Sequence, residues 1–545
     1  MAKTLLALAA LLTTVPAHAD TLIANANGIQ VGAEGKLQRF ESLLIGDDGK
    51  VIRTFTAVQN PAHSGPRIDA KGRTLLPGLI DAHGHVMALG FGALQLDLTG
   101  TTSMADLQQR LKAYAAANPD AKWIVGRGWN QELWPVKSFP TAADIDAVVS
   151  DRPVVLNRVD GHALIANRAA MKAAGITPAT KSPSGGRIEN GLFVDAAMSL
   201  VEGKIPPPTS AEREQALTKA QDLLLASGLT AAADMGTSAE DWTVMQRAAE
   251  AGRLQLRIMA YAGGVEAMPD KPTGWLAGDR LQMGGVKLYG DGALGSRGAW
   301  LKAPYADAPQ TSGLAVTEPA TLRSQAAQAA ARGYQVAIHA IGDRANAEAI
   351  TIFEQLGAQY GRDRRWRIEH VQVVDPADIP RIARAGIIAS MQPTHQTSDD
   401  NMADARLGEA RLKGAYAWRT IEQTGALLAF GSDFPVESPN PFPGLAAAIS
   451  RQDPQGQPPG GWRPEEKVSF ETALAGFTRN AAYAGFAEDR IGSLEPGKWA
   501  DFILVDRDVS TVSPTELAAT QVIETWVAGK KVWQRPASAA AERGK

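Results

Sequence analysis

The sequence predicts an α/β protein: a (β/α)8 TIM-type barrel, a small β-sandwich built from both chain ends, and an insertion after the first barrel strand. Three observations carry this. Eight short apolar runs alternate with amphipathic helical stretches through the middle of the chain. Alternating runs broken by Gly and Pro recur at both ends. Polar residues stand at the carboxyl ends of several central runs, where the mouth of such a barrel lies. The length agrees, because 545 residues exceed one small domain and suffice for a large barrel with a second module.

In chain order, residues 1–19 read as a secretory signal peptide. Met1-Ala2-Lys3 is a basic start, residues 5–15 are apolar but too short to span a bilayer, and Ala17-His18-Ala19 fits a small-residue cleavage site. This makes Asp20 the expected mature N-terminus and predicts a periplasmic or secreted protein, exported unfolded because twin arginines are absent. Residues 20–74 carry the first part of the sandwich, with strand-like runs at 22–26 and 40–45. Residues 75–489 form the barrel. Its expected strands are 75–82, 229–235, 255–262, 285–290, 335–340, 366–371, 387–392 and 427–432, separated by helical stretches such as 210–226 and 319–332. The stretch 95–205 does not fit one strand–helix unit and has strand-like runs of its own at 122–126 and 153–157, so it is expected to sit above the barrel mouth. Residues 490–536 supply the second part of the sandwich, and 537–545 a frayed tail.

Composition narrows the chemistry. Hydrophobic residues make up 45% and charged residues 21%, which is ordinary for a globular protein, and a net charge of −3 suggests neither nucleic acid nor an anionic membrane as partner. There is no cysteine, which excludes disulfides, thiolate ligands, a nucleophilic thiol and a lipidated cysteine anchor. The expected partner is a small-molecule substrate, with no membrane anchor; homo-oligomerisation is left open.

The first barrel run ends in Asp81-Ala82-His83-Gly84-His85. Residues i and i+2 of a strand point to one face, so the two imidazoles emerge together and supply half of a metal site. Two more of the eight histidines, His339 and His370, also end predicted strands. Asp433 ends the eighth, and Lys287 lies inside the fourth. Singly, each has a plain structural reading: a hydrogen-bonded core histidine, a capping aspartate, a lysine that snorkels or pairs with Asp291. The six together, on five strands, are hard to attribute to chance.

In this order the set resembles the amidohydrolase superfamily, and the resemblance covers nearly the whole mature chain, including the tail IGSLEPGKWAD. The segments GRGWNQELWP, RVDGHALIANRAAM, VKLYGDGALGSRGAWL, IHAIGDRAN and GSDFPVESPNPFPGL are similar to the branch containing N-substituted formamide deformylases. The resemblance implies that His83 and His85 bind a buried metal, with Asp433 as a further ligand and the general base. It implies that His339 and His370 bind a second metal, and that Lys287 is carboxylated and bridges the two. A carbamate suits that place better than an ammonium, which two divalent ions would repel. A single-metal site with unmodified Lys287 stays open.

Zinc is the first expectation from nitrogen-rich ligation, with manganese, iron or cobalt as alternatives. The expected reaction is hydrolysis of a non-peptide amide by metal-activated water, with Asp433 moving the proton. Ester or lactone hydrolysis and deamination are alternatives on the same site, and a non-catalytic periplasmic binding protein is a third. Lys287 argues against the single-metal deaminase pattern. Five residues are candidates for substrate contact: Trp129, His162, Tyr289, Arg297 and His395. Tyr289 shares strand parity with Lys287. Trp129 has core packing as its alternative, and Arg297 a surface ion pair.

Overall fold

The computed structural model describes residues 20–59 and 61–536; the signal peptide read at 1–19 and the tail at 537–545 lie outside the described residues. The central apolar runs form eight strands: β1 (Leu79–Gly84), β2 (Leu229–Thr237), β3 (Arg257–Gly263), β4 (Leu281–Tyr289), β5 (Gln335–Ala340), β6 (Arg367–His370), β7 (Ile388–Met391) and β8 (Leu428–Phe430). They lie side by side in chain order, each parallel to the next. A parallel bridge between Gly84 and Phe434 joins the last strand to the first. Most of these strands are buried along their whole length, as a sheet covered on both faces requires. A further strand, Thr273–Leu276, pairs antiparallel with β4.

The helices between strands begin where their sequences allow. Thr209 and Glu212 make a capping box at the start of Ser210–Ala226, and the Ser238 side chain accepts from Asp241 N at the start of Ala239–Glu250. Among the described residues no helix is long and apolar enough to cross a membrane.

One expected strand is divided. The run 75–82 splits into Thr74–Pro77, which belongs to a different sheet, and β1. Gly78 marks the break: a Cβ there would lie 2.1 Å from Thr230 Oγ1. Both halves are apolar and fully buried, so hydrophobic pattern alone joins them.

Between β1 and β2 the chain builds its own sheet, in the order Gly186–Glu189, Leu192–Asp195, Ala163–Ala166, Val154–Arg158, Ile124–Trp129, Leu96–Asp97. One apolar cluster of this insertion gathers Leu107, Leu111 and Ile145, and a second gathers Leu164, Phe193 and Val201. The chain ends form two more sheets. One has four strands, Val51–Phe55, Ser42–Ile45, Thr21–Ala24 and Arg67–Asp69. The other runs Lys530–Gln534, Val522–Val527, Phe502–Val505, Thr74–Pro77, Asn27–Val31 and Leu37–Phe40. Ile23, Leu43, Leu75, Phe502 and Trp526 belong to a single cluster that draws on both. A buried bidentate pair ties this region to β3: Arg257 Nε and Nη2 donate to the two oxygens of Asp501 at 2.6 and 3.0 Å.

Candidate active site

The site starts where β1 and β8 meet. Asp81 is fully buried and accepts from Ser432 Oγ at 2.7 Å and from His83 N at 3.0 Å. Burial pushes its carboxyl up to about 7. Gly431 makes room for this staple, because a Cβ there would lie 2.4 Å from Asp81 Oδ1. Two residues on, Asp433 N donates to His83 O at 2.7 Å. Asp433 has φ +58, a left-handed conformation that aspartate tolerates better than most residues.

His83 is held by β6. Its Nδ1 lies 2.6 Å from Glu369 Oε2, and Glu369 also accepts from Arg367 Nε at 2.8 Å and Nη2 at 3.1 Å. Burial alone would raise the Glu369 carboxyl, but the Arg367 charge and the His83 hydrogen bond outweigh it and hold it at about 2. Glu369 is therefore an acceptor only, and His83 Nδ1 carries the proton. The His83 Nε2 lone pair then points into the site, 3.3 Å from Lys287 Nζ and 3.4 Å from Asp433 Oδ1. His85 Nε2 stands 3.0 Å from the same Asp433 oxygen. That oxygen is buried and has no hydrogen-bond partner of acceptable geometry.

A second group forms beside the first. His370 Nδ1 lies 2.9 Å from Gln392 Oε1, and its ring is 4.5 Å from that of His339 and 4.7 Å from that of His83. His370 and Val371 have φ of +79 and +49, an outlier for a β-branched valine, so the backbone leaves β6 under strain. His395 Nε2 is buried without a partner, 3.7 Å from Asp433 Oδ2. His83, His85 and Asp433 can place their ligand atoms within 4.8 Å of one another, and so can His370, His395 and Asp433. His339 belongs to neither triad, with Nε2 3.4 Å from Gly292 O and 3.5 Å from Asp291 Oδ1. Burial holds His85, His339 and His370 below the ordinary imidazole range, so they are neutral, as metal ligation requires. These features fit a divalent ion: converging neutral nitrogens and an unpartnered carboxylate oxygen.

Lys287 is buried, and burial lowers its amine to about 8. Its Nζ lies 4.8 Å from the centroid of the Tyr289 ring. It does not pair with Asp291, which instead accepts from the backbone N–H groups of Trp300, Ile341 and Gly342.

A cavity of about 690 Å³ opens over this cluster. The barrel contributes His85, Lys287, Tyr289 and Asp433 to its wall, and the insertion contributes Arg127, His162 and Glu202. His162 Nδ1 lies 2.7 Å from Asp195 Oδ1, with its ring 5.1 Å from that of His339. Three of the five expected contacts are not in this wall: His395, which lies beside Asp433, Trp129 and Arg297. Trp129 is fully buried in the insertion core against Phe139, donating Nε1 to Leu156 O at 2.8 Å. The strand register slips between Arg127 and Trp129, and of the two it is Arg127 that lines the cavity. Arg297 pairs with Asp307 at 2.9 Å, away from the cavity wall. Sequence reading passed over Glu369, Arg367, Gln392, Asp81 and Arg127. Arg367 and Glu369 were detectable, as two opposite charges of one parity inside an apolar strand.

A parallel barrel with histidines and an aspartate converging at one end is the architecture of a metal-dependent hydrolase. Residues 67–533 match the profile described as amidohydrolase family, and the chain belongs to that family. It is 33% identical over 543 residues to Protein LONG AFTER FAR-RED 3 of Arabidopsis thaliana, covering 94% of this chain and 92% of that one. It is 26% identical over 549 residues to the N-substituted formamide deformylase of Arthrobacter pascens, covering 95% and 99%. The crystal structure of an uncharacterized metal-dependent hydrolase from Pyrococcus horikoshii superposes with a TM-score of 0.74 at 28% identity, covering 91% of this chain and 99% of that one.

Proposed function

We propose that this protein hydrolyses a non-peptide carbon–nitrogen bond, using an activated water with Asp433 as general base. The observation that carries the reading is the unpartnered, buried Asp433 Oδ1 facing His83 Nε2 and His85 Nε2. His83, His85 and Asp433 would hold one ion. His370 would hold a second, with His339 as the resemblance implies or with His395 as the ligand-atom distances favour. Such ions supply Lewis acidity toward water and a carbonyl oxygen. Zinc suits the nitrogen-rich set, and manganese, iron or cobalt would also be accepted. Lys287, 3.3 Å from His83 Nε2, stands where a carboxylated lysine would join the ligand set.

The residues divide the remaining work. Asp433 is ionised and takes the proton of the attacking water, then passes it to the leaving nitrogen. Glu369 fixes the His83 tautomer. His162, tethered by Asp195, and Tyr289 border the space a substrate would fill. The formamide deformylase relative makes N-formyl and N-acyl amines the first compounds to assay. The two terminal sheets read as one β-sandwich, and the leader expected at 1–19 supports a periplasmic or secreted location. The test is hydrolysis before and after complete, verified metal removal. Turnover that persists without metal refutes the reading. Faster turnover of matched esters across the panel would replace the amide assignment with an ester one.

A further inference from the structure

The insertion brings one charged group to the cavity that the proposed reaction does not use. Arg127 lies on the strand Ile124–Trp129, just before the register slip, and Gly128 beyond it has φ +103. Irregularities of this kind re-aim side chains beside sites. The Arg127 stem passes Gly92, where a Cβ would stand 3.2 Å from Arg127 Cδ. The guanidinium lines the same cavity as His85 and Asp433. It is half-buried and makes one hydrogen bond, from Nη2 to Val159 O at 3.1 Å.

Three carboxylates stand close enough to favour the charge of Arg127, Asp433, Asp97 and Asp160, but none is in contact with it. Asp160 pairs with Arg158, Asp195 with His162, and Asp97 accepts from Thr99 N. Among the described residues Arg127 forms no ion pair. Burial lowers it only to about 10, so it stays charged at neutral pH. Glu202 shares the wall, but burial pushes its carboxyl up, away from the charged form. A cation withdrawn from water with no counter-ion in contact is costly. The cost is offset if the counter-ion arrives with the ligand.

We propose that Arg127 is an anion subsite, so that preferred substrates are amides bearing a carboxylate remote from the scissile bond. The planar guanidinium suits a carboxylate, which can accept two parallel N–H groups from it. The proposal rests on the amide-hydrolase reading for the chemistry, and on Arg127 alone for the substrate class.

The experiment uses metal-loaded, full-length mature protein and a short ladder of ω-carboxyalkyl formamides, each matched to its primary carboxamide. Calorimetry measures binding to the wild type, Arg127→Gln and Arg127→Lys, with hydrolysis followed in parallel and folding checked by thermal unfolding. At least one acid is expected to bind the wild type about 10–100-fold more tightly than its carboxamide, the range of a charge-assisted hydrogen bond. Arg127→Gln should bring that ratio close to one, and Arg127→Lys should keep part of it. Equal binding of acids and carboxamides, a preference that survives Arg127→Gln, or binding of neither overturns the subsite. Hydrolysis without acid preference refutes the subsite alone. Acid preference without hydrolysis supports the subsite and refutes the amide-hydrolase reading.

Discussion

Replacing Glu369 by Gln tests how the barrel sets its first ligand. Glu369 is fully buried and accepts from three donors, His83 Nδ1, Arg367 Nε and Arg367 Nη2. A glutamine offers one acceptor oxygen in place of two, and its NH2 meets donors. Arg367, itself fully buried, loses its countercharge but keeps hydrogen bonds to Ala82 O and to the Ser390 and Tyr261 hydroxyls. Removing one member of a buried ion pair costs about 3–5 kcal/mol. The retained bonds argue for the lower half of that range. Separately, His83 loses the carboxylate that fixes its tautomer, a kind of loss that weakens metal binding by about 10–100-fold. Urea unfolding of the metal-free protein reads the first effect, and titration of zinc into chelator-treated protein reads the second. If Glu369→Gln unfolded at the wild-type urea midpoint and bound zinc with unchanged affinity, the pair would be neither a structural staple nor a tautomer lock.

Other expectations follow from the same geometry. His395→Asn and His339→Asn should differ in metal content measured by elemental analysis: if His395 completes the group with His370 and Asp433, its loss removes one ion per chain and that of His339 does not. The opposite pattern assigns the second ion to His339 and His370. Asp433→Asn should lower turnover by about 10²–10⁴-fold, the range for loss of a general base, and unchanged turnover would remove Asp433 from the mechanism. Asp508 accepts from Asn27 Nδ2 at 3.0 Å and Arg39 Nη1 at 3.1 Å. Burial raises its carboxyl, but Ser510, Asn27 and Arg39 outweigh that and bring it down to about 2. A carboxyl depressed on folding stabilises above its unfolded value and loses that contribution as pH falls through its folded value. Wild type should therefore exceed Asp508→Asn by about 1–2 kcal/mol at neutral pH, discounted for partial exposure, with the gap closing below about pH 4. A pH-independent gap in urea unfolding would contradict this.

Much of the barrel was legible because its strands are buried on both faces and read as unbroken apolar runs. The run at 335–340 coincides with β5, and those at 366–371 and 387–392 overshoot β6 and β7 by one residue at each end. The division at Gly78 was not legible, because only a neighbour from β2 makes a side chain impossible there. The six charged and imidazole groups were visible through their positions at strand ends. What each one touches was not. His395 lies in a helix after β7, and the Asp433 oxygens that face it and His85 are brought there by Asp81 and Ser432, a contact with no local signature. For Trp129 the structure takes the core-packing alternative, and the choice was not legible because it depends on tertiary contacts such as that with Phe139.

The strand Thr74–Pro77 lies between Asn27–Val31 and Phe502–Val505, and Asn27 also reaches Asp508 across 481 positions of chain. One side of it is satisfied early in synthesis, while the other waits for Phe502–Val505, made long afterwards. Until then the growing polypeptide carries an open β-edge of threonine, leucine, leucine and proline, the kind of template on which strands from other molecules can add. Completion of this sheet thus waits until Phe502–Val505 has been made, and a chain stopped short of Phe502 would keep that edge exposed.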